Sequence, residues 1–301
     1  MLKLRAVRLV LVLTGLLIQG APALAAPEGF YPVAIITSGP AGDGQARATA
    51  LLLGAWQSGR WQTPASAAPL LKTSRNWRMQ ALGAAGKAGT VLLRSGGVPL
   101  PGGDPCPETV FLDFPAAGLS GSLLVTAPAL NVRPRPVESL PTQNAVYREL
   151  VRTALVGRGL RVPTVVVDSV TRTDLDGDGT SEVIIGASHF RSQTGGMFAP
   201  PPRAEAGDYS LLLLRWVKNG QVQTTVLAQN VFTTTPTQAQ LEGGGGQVPT
   251  RFGLAGVADL NGDGRMELVV QDAYYEGEGA AVLEWSPVAG VKERLSEGCG
   301  A

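Results

Sequence analysis

Residues 174–182 read Asp174-Leu175-Asp176-Gly177-Asp178-Gly179-Thr180-Ser181-Glu182, and residues 259–267 read Asp259-Leu260-Asn261-Gly262-Asp263-Gly264-Arg265-Met266-Glu267. The two stretches align without a gap. Acidic or amide oxygens fall at positions 1, 3 and 5, glycine at 6 and glutamate at 9. Calcium coordination needs this spacing, because a hard cation takes six to eight oxygen ligands at about 2.3–2.6 Å. Side chains at 1, 3 and 5 converge if the chain curls tightly, and the glycine permits the curl. A backbone carbonyl at position 7, from Thr180 or Arg265, and the glutamate at 9 complete the shell. Two calcium sites are therefore expected, one per loop. Magnesium suits the set less well, since it keeps water and takes fewer protein ligands.

An EF-hand needs a bidentate glutamate at position 12 and flanking helices. Position 12 is Ile185 in the first loop and Val270 in the second, both within apolar runs. The loops therefore join β-strands. Outward from them, strands are expected at 164–173, 182–187, 210–217 and 222–229, the last two around the turn Asn219-Gly220. The order repeats at 252–258, 267–271, 280–285 and 291–295. Each set of four short antiparallel strands has the size of a propeller blade. The expected fold is thus mainly β, with antiparallel four-stranded blades, propeller-like, and one helix near 142–157. The stretches 191–208, with Pro200 to Pro202, and 233–250, with its glycine run at 243–246, are expected to be surface loops.

The segment from Val162 to Leu295 resembles FG-GAP/VCBS-type repeats, the calcium-loop blades also found in the propellers of integrin α-subunits. Phe252-Gly253 precedes the second loop as the family's "FG" does, and Gly186-Ala187 follows the first as the start of "GAP" does. Gln271-Asp272 stands where the second copy would carry Gly-Ala. The resemblance implies structural calcium in a β-blade and a role in recognition without catalysis.

The rest of the chain divides into an expected signal peptide at 1–25, a β-rich region at 26–130, a proline-rich linker and helix at 131–161, and the two blades at 162–301. Lys3, Arg5 and Arg8 precede an apolar run and the Ala23-Leu24-Ala25 cleavage pattern. That run is shorter than the roughly 20 residues a membrane span needs. Export to the periplasm, cell envelope or medium is expected, with no membrane span in the mature chain. In 26–130, short apolar runs at 31–37, 48–56, 77–82, 90–94, 109–114 and 122–126 read as strands. Gln57-Ser58-Gly59-Arg60 reads as a hairpin turn between two tryptophan-bearing strands. Ala145, Val146, Leu150, Val151, Ala154 and Leu155 recur at helical spacing, with Thr142 or Asn144 as cap.

In an oxidising compartment Cys106 and Cys299, the two cysteines of the chain, are expected to pair. One histidine, His189, disfavours triad hydrolases and zinc hydrolases. After removal of the first 25 residues the net charge is −2 and no basic run remains, which excludes nucleic acid as a natural partner. Gly86-Lys87 lacks the P-loop spacing, and Ser120 misses G-x-S-x-G by one residue. Asp272, Glu276 and Glu278 cluster near Tyr274 and Tyr275; a solvated hairpin turn is the favoured reading, and a sugar- or peptide-binding rim the alternative. The expected function is calcium-dependent recognition of a protein or glycan without catalysis. The alternative is an extracellular glycan hydrolase using paired carboxylates, with calcium as structural support.

Overall fold

Strands buried on both faces form the centre of the molecule, which is why so many of its strands read as unbroken apolar runs. The computed structural model describes residues 29–37, 47–71, 75–83, 89, 91–115, 119, 121–128, 131–192, 200–242 and 247–300. The expected signal peptide, Gly86-Lys87, Ser120 and the glycine run at 243–246 lie outside the described residues.

The first sheet comprises β1 (Phe30–Ile36), β2 (Arg47–Gln57), β3 (Arg60–Gln62), β4 (Arg75–Gln80), β5 (Val91–Gly96), β6 (Val98–Pro101), β7 (Val110–Pro115) and β8 (Leu123–Thr126). Its order is β5-β4-β8-β1-β2-β7-β6, antiparallel throughout, with β3 paired to β2. Consecutive strands β5 and β6 stand at opposite edges, joined through Gly97, whose amide donates to Asp113 O at 2.9 Å. The chain thus crosses from edge to edge and curls the sheet into a half-barrel. Its interior holds Ala34, Ile36, Leu52, Met79, Leu112 and Val125, with Trp77 edge-on to Phe114 at 5.8 Å. The short helix α1 (Pro64–Ala67) supplies Ala67 to the same core.

The strand β9 (Glu138–Ser139) precedes helix α2 (Ala145–Val156). Asn144 caps α2, its side chain accepting from Val146 N at 2.8 Å, and Gly157 ends it. A second sheet follows with order β13-β12-β11-β10-β9: β10 (Val167–Thr173), β11 (Glu182–His189), β12 (Tyr209–Lys218) and β13 (Gln221–Val231). Asn219 and Gly220 have φ of 52° and 75°, the mirror-image turn that matches strand twist. After the short helix α3 (Gln238–Glu242), a third sheet runs β14-β15-β16-β17: β14 (Arg251–Ala258), β15 (Glu267–Tyr274), β16 (Gly277–Ser286) and β17 (Gly290–Gly300).

The layers stack in a fixed order. Helix α2 covers one face of the second sheet through Val151, Leu155, Val183, Ile185 and Leu213. The other face presents Ile184, Leu212 and Leu214 to Val257, Leu268 and Trp285 of the third sheet. The third sheet's far face, Ala255, Val269, Ala280, Val282 and Leu295, meets Val33, Ile35, Leu51 and Leu124 of the half-barrel. Alternate residues along β1 and β15 therefore serve two different cores.

The proline-rich segment expected as a linker is instead built into this stack. Val132 is fully buried among the third sheet and the half-barrel, and its carbonyl accepts from Asp259 N at 2.8 Å. The loop at 191–208 is likewise tied at its described ends. Asp208 is fully buried, and its carboxylate accepts from Arg191 N at 2.9 Å and Glu205 N at 2.8 Å. Cys106 and Cys299 are disulfide-bonded, fastening β17 to the half-barrel. Among the described residues, no helix is long and apolar enough to cross a membrane.

Candidate metal centre

Both acidic loops are hairpin connections. The first joins β10 to β11, with Thr173 paired to Glu182; the second joins β14 to β15, with Ala258 paired to Glu267. Glycines at positions 4 and 6 take left-handed φ in both, 81° and 86° at Gly177 and Gly179, 75° and 85° at Gly262 and Gly264. A side chain at these positions would be strained.

One hydrogen-bond scheme recurs in the two loops. Asp174 accepts from Gly177 N at 2.7 Å and Gly179 N at 3.1 Å; Asp259 accepts from Gly262 N at 2.7 Å and Gly264 N at 3.0 Å. Asp176 accepts from Asp178 N at 3.3 Å, and Asn261 from Asp263 N at 2.9 Å. Asp178 accepts from Thr180 N at 2.6 Å, and Asp263 from Arg265 N at 2.8 Å, leaving Thr180 and Arg265 exposed at position 7. Buried Glu182 accepts from Leu175 N at 2.8 Å, and buried Glu267 from Leu260 N at 2.7 Å. Leu175 and Leu260 anchor the loops, Leu175 between the second and third sheets and Leu260 between the third sheet and the half-barrel.

The loops differ in how their carboxylates gather. Asp174, Asp176 and Glu182 bring ligand oxygens within 4.8 Å of one another. This is the one such acidic group among the described residues, and exposed Asp178 stands outside it. In the second loop the buried Asn261 amide donates to Asp263 Oδ2 at 3.2 Å and Glu267 Oε1 at 3.1 Å. That neutral donor bridges two carboxylates from within the chain.

Electrostatics follow from this arrangement. Burial pushes the Glu182 carboxyl up to about 7; the Leu175 amide opposes the rise, and the charges of Asp176, Asp178 and Asp174 add to it. Asp176 is raised by burial and by the Asp178 charge. Glu267 is raised well above the usual carboxylate range, first by burial, with the Leu260 amide opposing. Asp259 is raised by burial against the amides of Gly262 and Gly264.

Sequence reasoning missed Arg135. Its guanidinium donates to Asp174 O at 2.5 Å and Leu175 O at 2.9 Å and lies 3.9 Å from Asp174 Oδ1. It braces the first loop from 39 residues upstream, a separation that carries no spacing signal. The loops also touch each other, Met266 N donating to Leu175 O at 2.8 Å.

The cluster on β15–β16 divides into half-buried and exposed side chains. Tyr274 lies against the backbone of Gly277 and Gly300, where a Cβ would meet its ring or hydroxyl at 2.3 and 1.8 Å. Tyr275 and Glu276 are exposed. Glu278 accepts from Thr37 Oγ1 at 2.5 Å, and Asp272 is raised by burial with the Glu278 charge adding. His189 is half-buried, its ring 6.3 Å from that of Tyr209.

Comparison of the chain with family models, curated proteins and solved structures finds no significant match.

Proposed function

We propose that this is an exported, calcium-binding recognition protein whose second and third sheets are propeller-type blades of the FG-GAP/VCBS kind, with no catalytic activity. One observation carries the cation reading: three carboxylates of the first loop, two of them raised by burial, gather within 4.8 Å. Like charges held that closely repel, and a bound cation relieves them. Calcium would be held by Asp174, Asp176 and Glu182, where it supplies positive charge that fixes the hairpin. The donor set is all oxygen, which suits calcium. The second loop, with Asn261 already bridging Asp263 and Glu267, takes calcium more weakly.

The blade reading draws support from equivalent loops at equivalent hairpins, each inserting a leucine between its own sheet and the next. The ligand is a protein or a glycan. The disulfide agrees with an oxidising compartment.

Calorimetric titration with calcium tests the reading. Binding to the folded state adds about 1.4 kcal/mol of stability at ten times Kd. Chelator should therefore lower the melting temperature and added calcium restore it, with the first loop saturating before the second. Heat-silent titrations and melts indifferent to chelator would reduce both loops to acidic turns.

A further inference from the structure

Between the β2–β3 hairpin and the third sheet lies a cleft of about 640 Å³ that no calcium ligand of the first loop touches. Its volume falls in the range of about 300–1,000 Å³ usual for small-ligand sites. One wall is aromatic. Trp56 and Trp61 pair across the hairpin, rings edge-on at 5.1 Å, each half-buried. Trp56 keeps its Nε1 buried, and Trp61 donates its own to Glu284 Oε1 at 3.0 Å. What the two indoles leave open to the cleft is therefore mainly ring carbon. Glu284 also pairs with the Arg294 guanidinium, so this wall is ordered before a ligand arrives, which lowers the cost of binding.

The charges around the cleft balance. Glu284 and Arg294 neutralise each other. The exposed charges that line it are Arg60 and Arg265 against Asp263 and Glu293, two of each sign. Arg265 also lies in the field of Asp176 in the first loop, which draws further on its charge. An ionised ligand of either sign would thus meet a like charge for each opposite one. No aliphatic side chain lines the cleft, so a lipid or an apolar peptide finds no matching surface. The lining offers guanidinium donors and carboxylate acceptors together, beside aromatic carbon.

We propose that this cleft binds a neutral oligosaccharide. A sugar ring presents C–H groups on one face, which pack on aromatic carbon. Its hydroxyls each donate one hydrogen bond and accept others, so they engage carboxylates and guanidiniums alike. The balanced charges that disfavour an ion therefore suit an uncharged, hydroxyl-rich chain. A neutral polar peptide could bond to the same charged groups, but it would leave the indole carbon without a partner. This inference rests on the recognition reading above only in treating the protein as a binder, and it does not require the cation.

The test is calorimetric titration of the mature protein with cellohexaose, maltohexaose and β-mannohexaose. Hexagalacturonate and a neutral serine–glycine hexapeptide serve as comparison probes. Saturable binding of at least one neutral hexasaccharide is expected, with each comparison probe at least about tenfold weaker. Trp61→Ala should weaken that binding by more than about tenfold, ~1.4 kcal/mol. Trp61 also packs against the core shared by the third sheet and the half-barrel, so a second variant keeps the test valid if this one fails to fold. Arg60→Ala combined with Glu293→Ala removes one exposed charge of each sign and should weaken binding by about tenfold. The proposal is overturned if no neutral probe binds, if either comparison probe binds as tightly, or if binding is unchanged in the double variant. A calcium titration in parallel separates the two readings. Saturable calcium without sugar binding would sink this inference alone, and sugar binding without calcium would sink the cation reading alone.

Discussion

Asp176 and Asp178 stand two positions apart in one loop and are placed for different roles. Asp176 points its carboxylate at Asp174 and Glu182, whereas Asp178 turns to the Thr180 amide at the surface. Asp176→Asn should weaken calcium binding by more than about tenfold, ~1.4 kcal/mol, and Asp178→Asn by less. Titration of both variants decides, and equal losses would contradict the geometry. Glu182 adds a pH dependence. Its folded value near 7 lies above the unfolded value of about 4.3. The folded state therefore holds the proton more tightly, and ionising the group costs stability. That cost grows as pH rises from about 4.3 to 7 and is constant above. Chelated protein should lose stability across this window as pH rises, and Glu182→Gln should flatten the slope in urea melts run at successive pH values. The two acidic hairpin loops were legible in the sequence because the spacing of their oxygens and glycines is local. Which three carboxylates converge was not legible, since side-chain torsions and the distant Arg135 decide it.

Helix α2 shows how an element is legible when its signals are local. The stripe of Val151 and Leu155 faces the second sheet, Asn144 caps the start and Gly157 stops it. Asn144→Ala removes the acceptor for Val146 N, and should cost about 1 kcal/mol, read as a shift in the urea midpoint at unchanged slope. Asn144→Ser should recover most of it. The long strands were equally readable, because seven to eleven apolar or alternating residues leave few other options. Strand β3 was legible through the hairpin turn at 57–60 that pairs it with β2; strands β6 and β9, with four and two residues, carry no period of their own and form because β7 and β10 offer them an edge. The half-barrel was illegible for a related reason. Its curl comes from β5 and β6 meeting opposite edges through Gly97, a pairing between distant strands rather than a pattern within either.

At the scale of the whole molecule, the boundaries read from composition do not separate independent cores. Val33, Ile35 and Leu51 of the half-barrel share one cluster with Val269, Ala280 and Val282 of the third sheet, and Val132 of the intervening segment completes it. Thr109 Oγ1 donates to Gly298 O at 3.2 Å beside the disulfide, so the last strand is held at the same seam by packing, hydrogen bonding and a covalent link. The covalent part can be removed by itself. The disulfide spans 193 residues of sequence. Closing a loop of that length restricts the unfolded chain by an amount the chain-entropy model puts at about 4–5 kcal/mol, an upper figure. The double variant Cys106→Ser, Cys299→Ser should therefore lose up to that much, with the shared apolar core left in place. Because the core crosses the seam, the variant should still unfold in one step, with near- and far-ultraviolet circular dichroism giving coincident transitions in urea. Two separated transitions would mean that the half-barrel and the C-terminal sheets are independent units held together chiefly by the bond, and the continuous core would then contribute far less than its burial implies.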